Sequence, residues 1–143
     1  MVSDLSNFEK LKTVYDIVGG DEFFNNLVDI FYSKVAKDEL LNGMFVDQTF
    51  VSPKRHLYLF LRMLFGGPDD YTPERGHPKM RRRHFPFKIG VKERNRWLKL
   101  MLSSLDELGV TSEHQSRAYI QEYFERVATH MINQEIKPED FIE

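Results

Sequence analysis

The residues best placed to do chemistry lie in one short run, Gly76-His77-Pro78-Lys79-Met80-Arg81-Arg82-Arg83-His84-Phe85-Pro86-Phe87. Pro78 suits the first turn of a helix, where its missing N–H would be unpaired anyway. Pro86 lacks a donor and restrains Phe85 to extended geometry, so the helix stops after roughly two turns. On that helix Met80 and His84 are four residues apart and share a face, while Arg81 and Arg82 turn away from it. A single imidazole at the end of an apolar stripe, with Arg83 just before it, is the set an iron porphyrin requires. The ring nitrogen serves the metal, apolar side chains meet the macrocycle and a cation answers the propionates. Taken alone, the same pattern also describes a packed or solvated histidine.

Amphipathic helices must position that run. Ser6 and Glu9 have capping-box spacing, and Phe8, Leu11, Val14, Tyr15 and Val18 follow at helical intervals until Gly19-Gly20. Asp21 is placed to cap a second helix with the stripe Phe24, Leu27, Val28, Phe31 and Val35. Phe23, Ile30 and Tyr32 widen it, which predicts cover on more than one side. Ser52-Pro53 reads as the cap and first residue of a third helix, apolar nearly all round from Leu57 to Phe65 and ended by Gly66-Gly67-Pro68. The turn residues from Asp69 to His77 predict a long loop. A helix over about Val91 to Leu108 carries Trp97, Leu98, Met101, Leu102 and Leu105. After Gly109, Thr111 or Ser112 caps the last helix, with Ile120, Tyr123, Phe124, Val127, Met131 and Ile132 as its stripe. The charged tail beyond Gln134 is expected to be loosely held. No strand alternation survives. The reading is all-α, with four substantial helices and two short ones.

The totals narrow the chemistry. The 143 residues make room for one domain, and 41% hydrophobic content with 12 Phe predicts a globular core with flat surfaces. A net charge of −2 argues against nucleic acid as a partner despite the run Arg81 to Arg83. With no cysteine, disulfides, thiolate metal sites and thioether-linked haem are all excluded. The start Met1-Val2-Ser3-Asp4 lacks signal-peptide character, and no run is long and apolar enough for a membrane span, so a cytoplasmic protein without membrane attachment is expected.

In this order the pieces resemble the group II truncated haemoglobins, over about Val14 to Asn133. The resemblance is carried by Tyr15-Asp16-Ile17-Val18-Gly19-Gly20, Phe31-Tyr32 and Gly66-Gly67-Pro68. Tyr71, the run Arg75-Gly76-His77-Pro78, the segment Arg81 to Phe87 and Trp97 complete it. It implies a globin-like two-over-two helical sandwich holding haem b, iron protoporphyrin IX, with His84 as the metal ligand. It also implies dioxygen, nitric oxide or carbon monoxide as ligands, a separate reductase as partner, and a monomer or homodimer.

By the same resemblance, Tyr32 is the ligand-facing tyrosine, and Trp97 a donor that can steady an anionic ligand but never bind metal. Phe45 packs on the haem ring where many relatives place tyrosine, which removes a donor. Pro53 stands where many globins carry a distal histidine and can neither ligate nor donate. Leu57, Phe60 and Leu61 wall the pocket, with Met80 on the other face. Arg83 reaches a propionate. Tyr71 either reaches a propionate or packs; His56 either answers a propionate or stays at the surface. His77 reads as a helix-start residue, and His114 and His130 as ordinary surface or packing residues. Three functions remain open: reversible oxygen binding for transport, storage or sensing; an enzyme consuming nitric oxide or peroxide; and a haem-free interaction module, against which His84 weighs.

Overall fold

In the computed structural model, which describes residues 12–141, the apolar stripes become seven α-helices, and no strand occurs among the described residues. They are α1 (Val14–Val18), α2 (Gly20–Ala36), α3 (Val51–Leu64), α4 (Tyr71–Arg75), α5 (Met80–His84), α6 (Val91–Glu107) and α7 (Arg117–His130). Short 3-10 turns cover Asn42–Met44 and Pro138–Phe141. Helix α2 pairs with α3, α6 pairs with α7, and contact between α2 and α6 joins the pairs. This is two helices laid over two, as expected. The core lies between the layers, where Phe24, Leu27, Phe31, Met101, Leu105, Ile120 and Phe124 are almost wholly buried. Helix α2 buries seven side chains, from Phe23 to Val35, so its widened stripe is indeed covered on more than one side.

Several local expectations are corrected. The Ser6–Glu9 capping box lies outside the described residues and is not among these; within them, α1 is opened by Thr13, whose Oγ1 accepts from the Asp16 N–H at 3.2 Å. Gly19, not Asp21, precedes α2. The Asp21 carboxylate is engaged elsewhere, accepting from the Tyr15 hydroxyl and from Arg62 Nε at 2.8 Å. Helix α3 starts two residues early, at Val51, behind Phe50 in the left-handed region with φ 58°. Pro53 therefore sits third, still within the first turn, where no N–H is missed. The strain at Phe50 is held by burial of its ring, 5.6 Å from Tyr32 and 5.1 Å from Phe45.

The expected long loop contains α4. Asp69 Oδ1 accepts from the Thr72 N–H at 2.8 Å, Pro73 occupies the first turn without cost, and Gly76 at φ 74° ends the helix. Pro78 is not the first residue of α5. Lys79 adopts φ 45° behind it, which no helix can continue through, and the helix begins at Met80. Helix α7 starts at Arg117, later than Thr111 or Ser112 would place it. The buried Arg117 guanidinium explains the delay: it donates to Val110 O at 2.6 Å and to Asp106 Oδ1, which fixes residues 111–116 as turns.

Helix α3 is not buried all round. Leu59, Phe60 and Leu61 are buried, whereas Leu57, Tyr58, Met63 and Leu64 are only half-buried. Its apolar surplus faces two hollows, described below. The double glycine after α3 has a separate cause. A Cβ at Gly67 would lie 2.5 Å from Tyr15 Cδ1 and 2.9 Å from Arg62 O, and one at Gly66 would lie 2.6 Å from Thr13 Cβ. Only glycine lets α1 cross so closely, and the Tyr15 N–H then donates to Phe65 O at 2.8 Å.

Candidate functional site

A cavity of about 180 Å³ opens between α2, α3, α5, α6 and α7, and its lining is mostly apolar. His84, Met80, Tyr32, Trp97, Phe45 and Leu57 all contribute to it. The sequence expectation therefore brings together six of its site residues at one place. The other five lie off this cavity. Leu61 and Tyr71 are buried core, Tyr71 packing edge-on against Phe60 at 5.5 Å. Phe60 faces a second hollow on the far side of α3. His56 is half-buried one position before Leu57. Arg83 folds back on the backbone, with Nε donating to Pro78 O at 2.7 Å and Nη2 to Arg75 O at 2.9 Å.

The aromatic wall is set by α2, which projects Phe31 and Tyr32 inward. Tyr32 packs against Phe31 at 5.0 Å, Phe45 at 5.8 Å and Phe50 at 5.6 Å. Its phenol pKa is pushed up strongly by burial alone, so the hydroxyl stays protonated and remains a donor at any ordinary pH. Trp97, on α6, is wedged edge-on between Phe31 at 5.4 Å and Phe124 at 5.6 Å. The turn carrying Phe45 is tied down by Asp38. Its carboxylate accepts from the Leu40 and Leu41 N–H groups at 3.0 and 3.1 Å and from Arg96. Burial raises the Asp38 pKa, but Arg96 and those N–H groups outweigh it, and the net shift is downward.

The His84 wall is built differently. In α5 the His84 Nδ1 lies 2.6 Å from Met80 O. A carbonyl only accepts, so Nδ1 carries the proton and Nε2 keeps its lone pair. Helix α5 is fixed to the end of α7 by Arg81, which donates to His130 O at 3.1 Å and Ile132 O at 3.2 Å. Asn133 then closes the corner after His84. Its Nδ2 donates to Phe87 O at 2.8 Å, and its Oδ1 accepts from the Ile89 N–H at 2.9 Å. Beside the cavity, His56 has its pKa lowered by burial first and then by the charge of Arg75, with Arg83 and Arg55 adding to it against the opposing pull of Glu74. Arg75 Nε is buried and has no hydrogen-bond partner among the described residues.

Sequence reasoning missed Phe50, Asn133 and the lining residues Leu41, Met44, Phe87, Ile89, Glu93 and Arg94. Leu41 and Met44 fall outside any helical stripe, and Asn133 leaves no spacing signature. Phe50 is the one with a faint signal, as a large aromatic directly before a helix start.

The comparisons with known proteins follow this geometry. The model of the Bacterial-like globin family matches residues 13–133. The chain is 36% identical to the group 2 truncated hemoglobin YjbI of Bacillus subtilis over 115 residues, covering 80% of this chain and 85% of that protein. Among solved structures, the hemoglobin of the thermophilic phototroph Chloroflexus aurantiacus is 42% identical, with a TM-score of 0.81 over 87% of this chain and 100% of that one. A Tyr26Ala mutant of the group II truncated hemoglobin of Bacillus anthracis is 33% identical, with a TM-score of 0.84 over 90% and 97% of the two chains.

Proposed function

Since the chain belongs to the group II truncated haemoglobins, two-over-two globins, we propose that it holds haem b and binds dioxygen and other diatomic ligands reversibly. The observation that carries this reading is the state of His84: Nδ1 is tied to Met80 O at 2.6 Å, and the ring faces the apolar cavity. A neutral imidazole with one nitrogen anchored and the other free is what a haem iron takes from a protein. The rest of the donor set fits. Leu57, Met80 and Phe45 offer apolar contact, and Arg75 has a buried N–H without a partner among the described residues, beside His56 and Arg83, suited to a carboxylate.

The iron of the bound haem would supply the site for the diatomic ligand. The chain's own residues set how long that ligand stays. The Tyr32 hydroxyl and the Trp97 indole N–H belong to residues that line the cavity and would be the donors offered to a partly anionic diatomic ligand there. Phe45 and Phe50 contribute no donor; they hold the Tyr32 ring and keep water from it. Two donors in a dry pocket favour retention over rapid release, and a relative 35% identical is described as the oxygen-avid truncated haemoglobin of Bacillus subtilis.

The test is an absorption spectrum of the purified protein in ferric, ferrous and air-exposed ferrous states. A Soret band with a five-coordinate ferrous form and a stable oxygenated form is expected. A protein without a Soret band after haem reconstitution would overturn the reading.

A further inference from the structure

On the far side of α5 from the aromatic wall lies a second hollow, an open groove of about 740 Å³ between α3, α5 and α7. Its floor is apolar, made by Phe60, Met63 and Leu64 from α3 and by Tyr123 and Val127 from α7. Its rim is cationic: Lys79, Arg81, Arg82 and Arg126 all border it, and no carboxylate among the described residues does. Arg81 is engaged with the carbonyls of His130 and Ile132. Lys79, Arg82 and Arg126 form no ion pair among the described residues, where seven other pairs are made. Glu122 and Glu125 flank Arg126 on its other side, in a separate shallow hollow, without pairing to it.

This arrangement is costly unless something uses it. In a chain of net charge −2, gathering four cations around one groove raises their mutual repulsion. The half-exposed floor of Met63, Leu64, Tyr123 and Val127 forgoes burial that a tighter packing of α3 on α7 would supply. An anion alone would answer the rim and leave the floor wet. An apolar molecule alone would cover the floor and leave the cations opposed only by each other. An acidic protein surface would meet the rim but has no means of entering the groove.

We propose that the groove is a binding site for a long-chain carboxylate, a free fatty acid whose acyl chain lies on the α3–α7 floor and whose head group is held by Arg82 and Arg126 at the rim. The site goes beyond gas binding and does not depend on it. Met80, Val127 and Met131 line both this groove and the His84 cavity, so the two sites share three side chains.

The experiment is calorimetric titration of the full-length protein, as purified and saturated with carbon monoxide, with decanoate, dodecanoate and tetradecanoate below their micelle concentrations. Each pair of methylenes added to a chain that is buried on the floor should tighten binding by up to about 15-fold. Dodecanol, which lacks the charge, should bind at least about tenfold more weakly than dodecanoate, as should dodecanoate to the double variant Arg82→Glu, Arg126→Glu. Both arginines are exposed and make no side-chain hydrogen bond among the described residues, so the fold is expected to persist, which circular dichroism checks. The chain-length series on the unaltered protein needs no variant at all. Affinities that change less than twofold along the series, or that ignore the double charge reversal, would overturn the proposal. So would binding to polyglutamate or to anionic phospholipid vesicles with none to monomeric carboxylates, which would reassign the groove to an acidic chain or a membrane surface.

Discussion

The two walls of the His84 cavity are held by opposite means. The aromatic wall is packed: Tyr32, Phe31, Phe45, Phe50 and Trp97 hold one another ring to ring at 5.0–5.8 Å, and the side chain of Tyr32 itself is fixed by neighbours on several sides. The His84 wall is hydrogen-bonded: a five-residue helix with no fully buried side chain is strapped by Arg81, Arg83 and Asn133 to backbone carbonyls. Packing forgives little change in volume but is indifferent to the loss of a single hydrogen bond. Strapping by a few polar contacts has the reverse sensitivity. On the proposed reading, the candidate donors Tyr32 and Trp97 stand on the packed wall, and the candidate metal ligand His84 stands on the hydrogen-bonded one.

The largest expected effect breaks the His84 wall outright. His84→Ala should purify with little haem, or with haem that added imidazole restores. Full occupancy with an unaltered ferrous spectrum would refute ligation by His84.

Next comes the aromatic wall, tested without disturbing its packing. Tyr32→Phe keeps the ring and removes one donor worth roughly 1.5–3 kcal/mol toward a charged acceptor. Dioxygen dissociation should quicken by about ten- to a hundredfold, while carbon monoxide, far less polar when bound, responds much less. Trp97→Phe should act in the same direction, and the double variant should depart from additivity because both donors face one ligand. Stopped-flow displacement on all four proteins decides this. Rates within twofold of each other would reduce both residues to packing.

A smaller effect sharpens the contrast between walls. Asn133→Ala removes the contacts to Phe87 O and the Ile89 N–H and should cost about 1–3 kcal/mol in thermal or denaturant unfolding. It should speed haem loss while leaving dioxygen dissociation within about twofold. Equal changes in both would mean that the walls are not mechanically separate.

The smallest effect lies on the aromatic side, at Asp38. Its folded pKa is held below the unfolded value by Arg96 and the two N–H groups, against burial. Its contribution is therefore present above about pH 4, the ordinary aspartate range, and is lost as pH falls through the lower folded value. Asp38→Asn should destabilise the protein by roughly 1–2 kcal/mol at neutral pH, and the gap to the parent should narrow in acid. A constant difference from pH 7 to pH 3 would remove the charge from the account.

Most of the architecture was legible because four helices carry long stripes, and stripes of that length survive any tertiary context. What failed to show were decisions made by single contacts. Lys79 and Phe50 take left-handed backbone angles that their residue types do not announce, so proline placement alone misjudged two helix starts by two residues each. The buried Arg117, which postpones α7, looks from the sequence like one more surface cation. That His84, Tyr32 and Trp97 meet at one cavity was readable from a resemblance and from residue chemistry. Asn133 and Phe50 were not, since a clasp formed across 44 or 46 positions has no local spacing. The near-uniform hydrophobicity of α3 was misread as depth, when its surplus marks the two hollows on either side of the helix.

The Asn133 clasp also sets a schedule for synthesis. Every residue that boxes Tyr32, namely Phe31, Phe45 and Phe50, is translated by position 50. The His84 corner must wait for Asn133, 49 residues after His84 itself. At about 5–20 residues per second, that is a delay of roughly 2–10 s during which His84 has left the peptidyl-transferase centre and its wall is unstrapped. The box around Tyr32 can form first on the nascent chain, and the His84 corner closes after it.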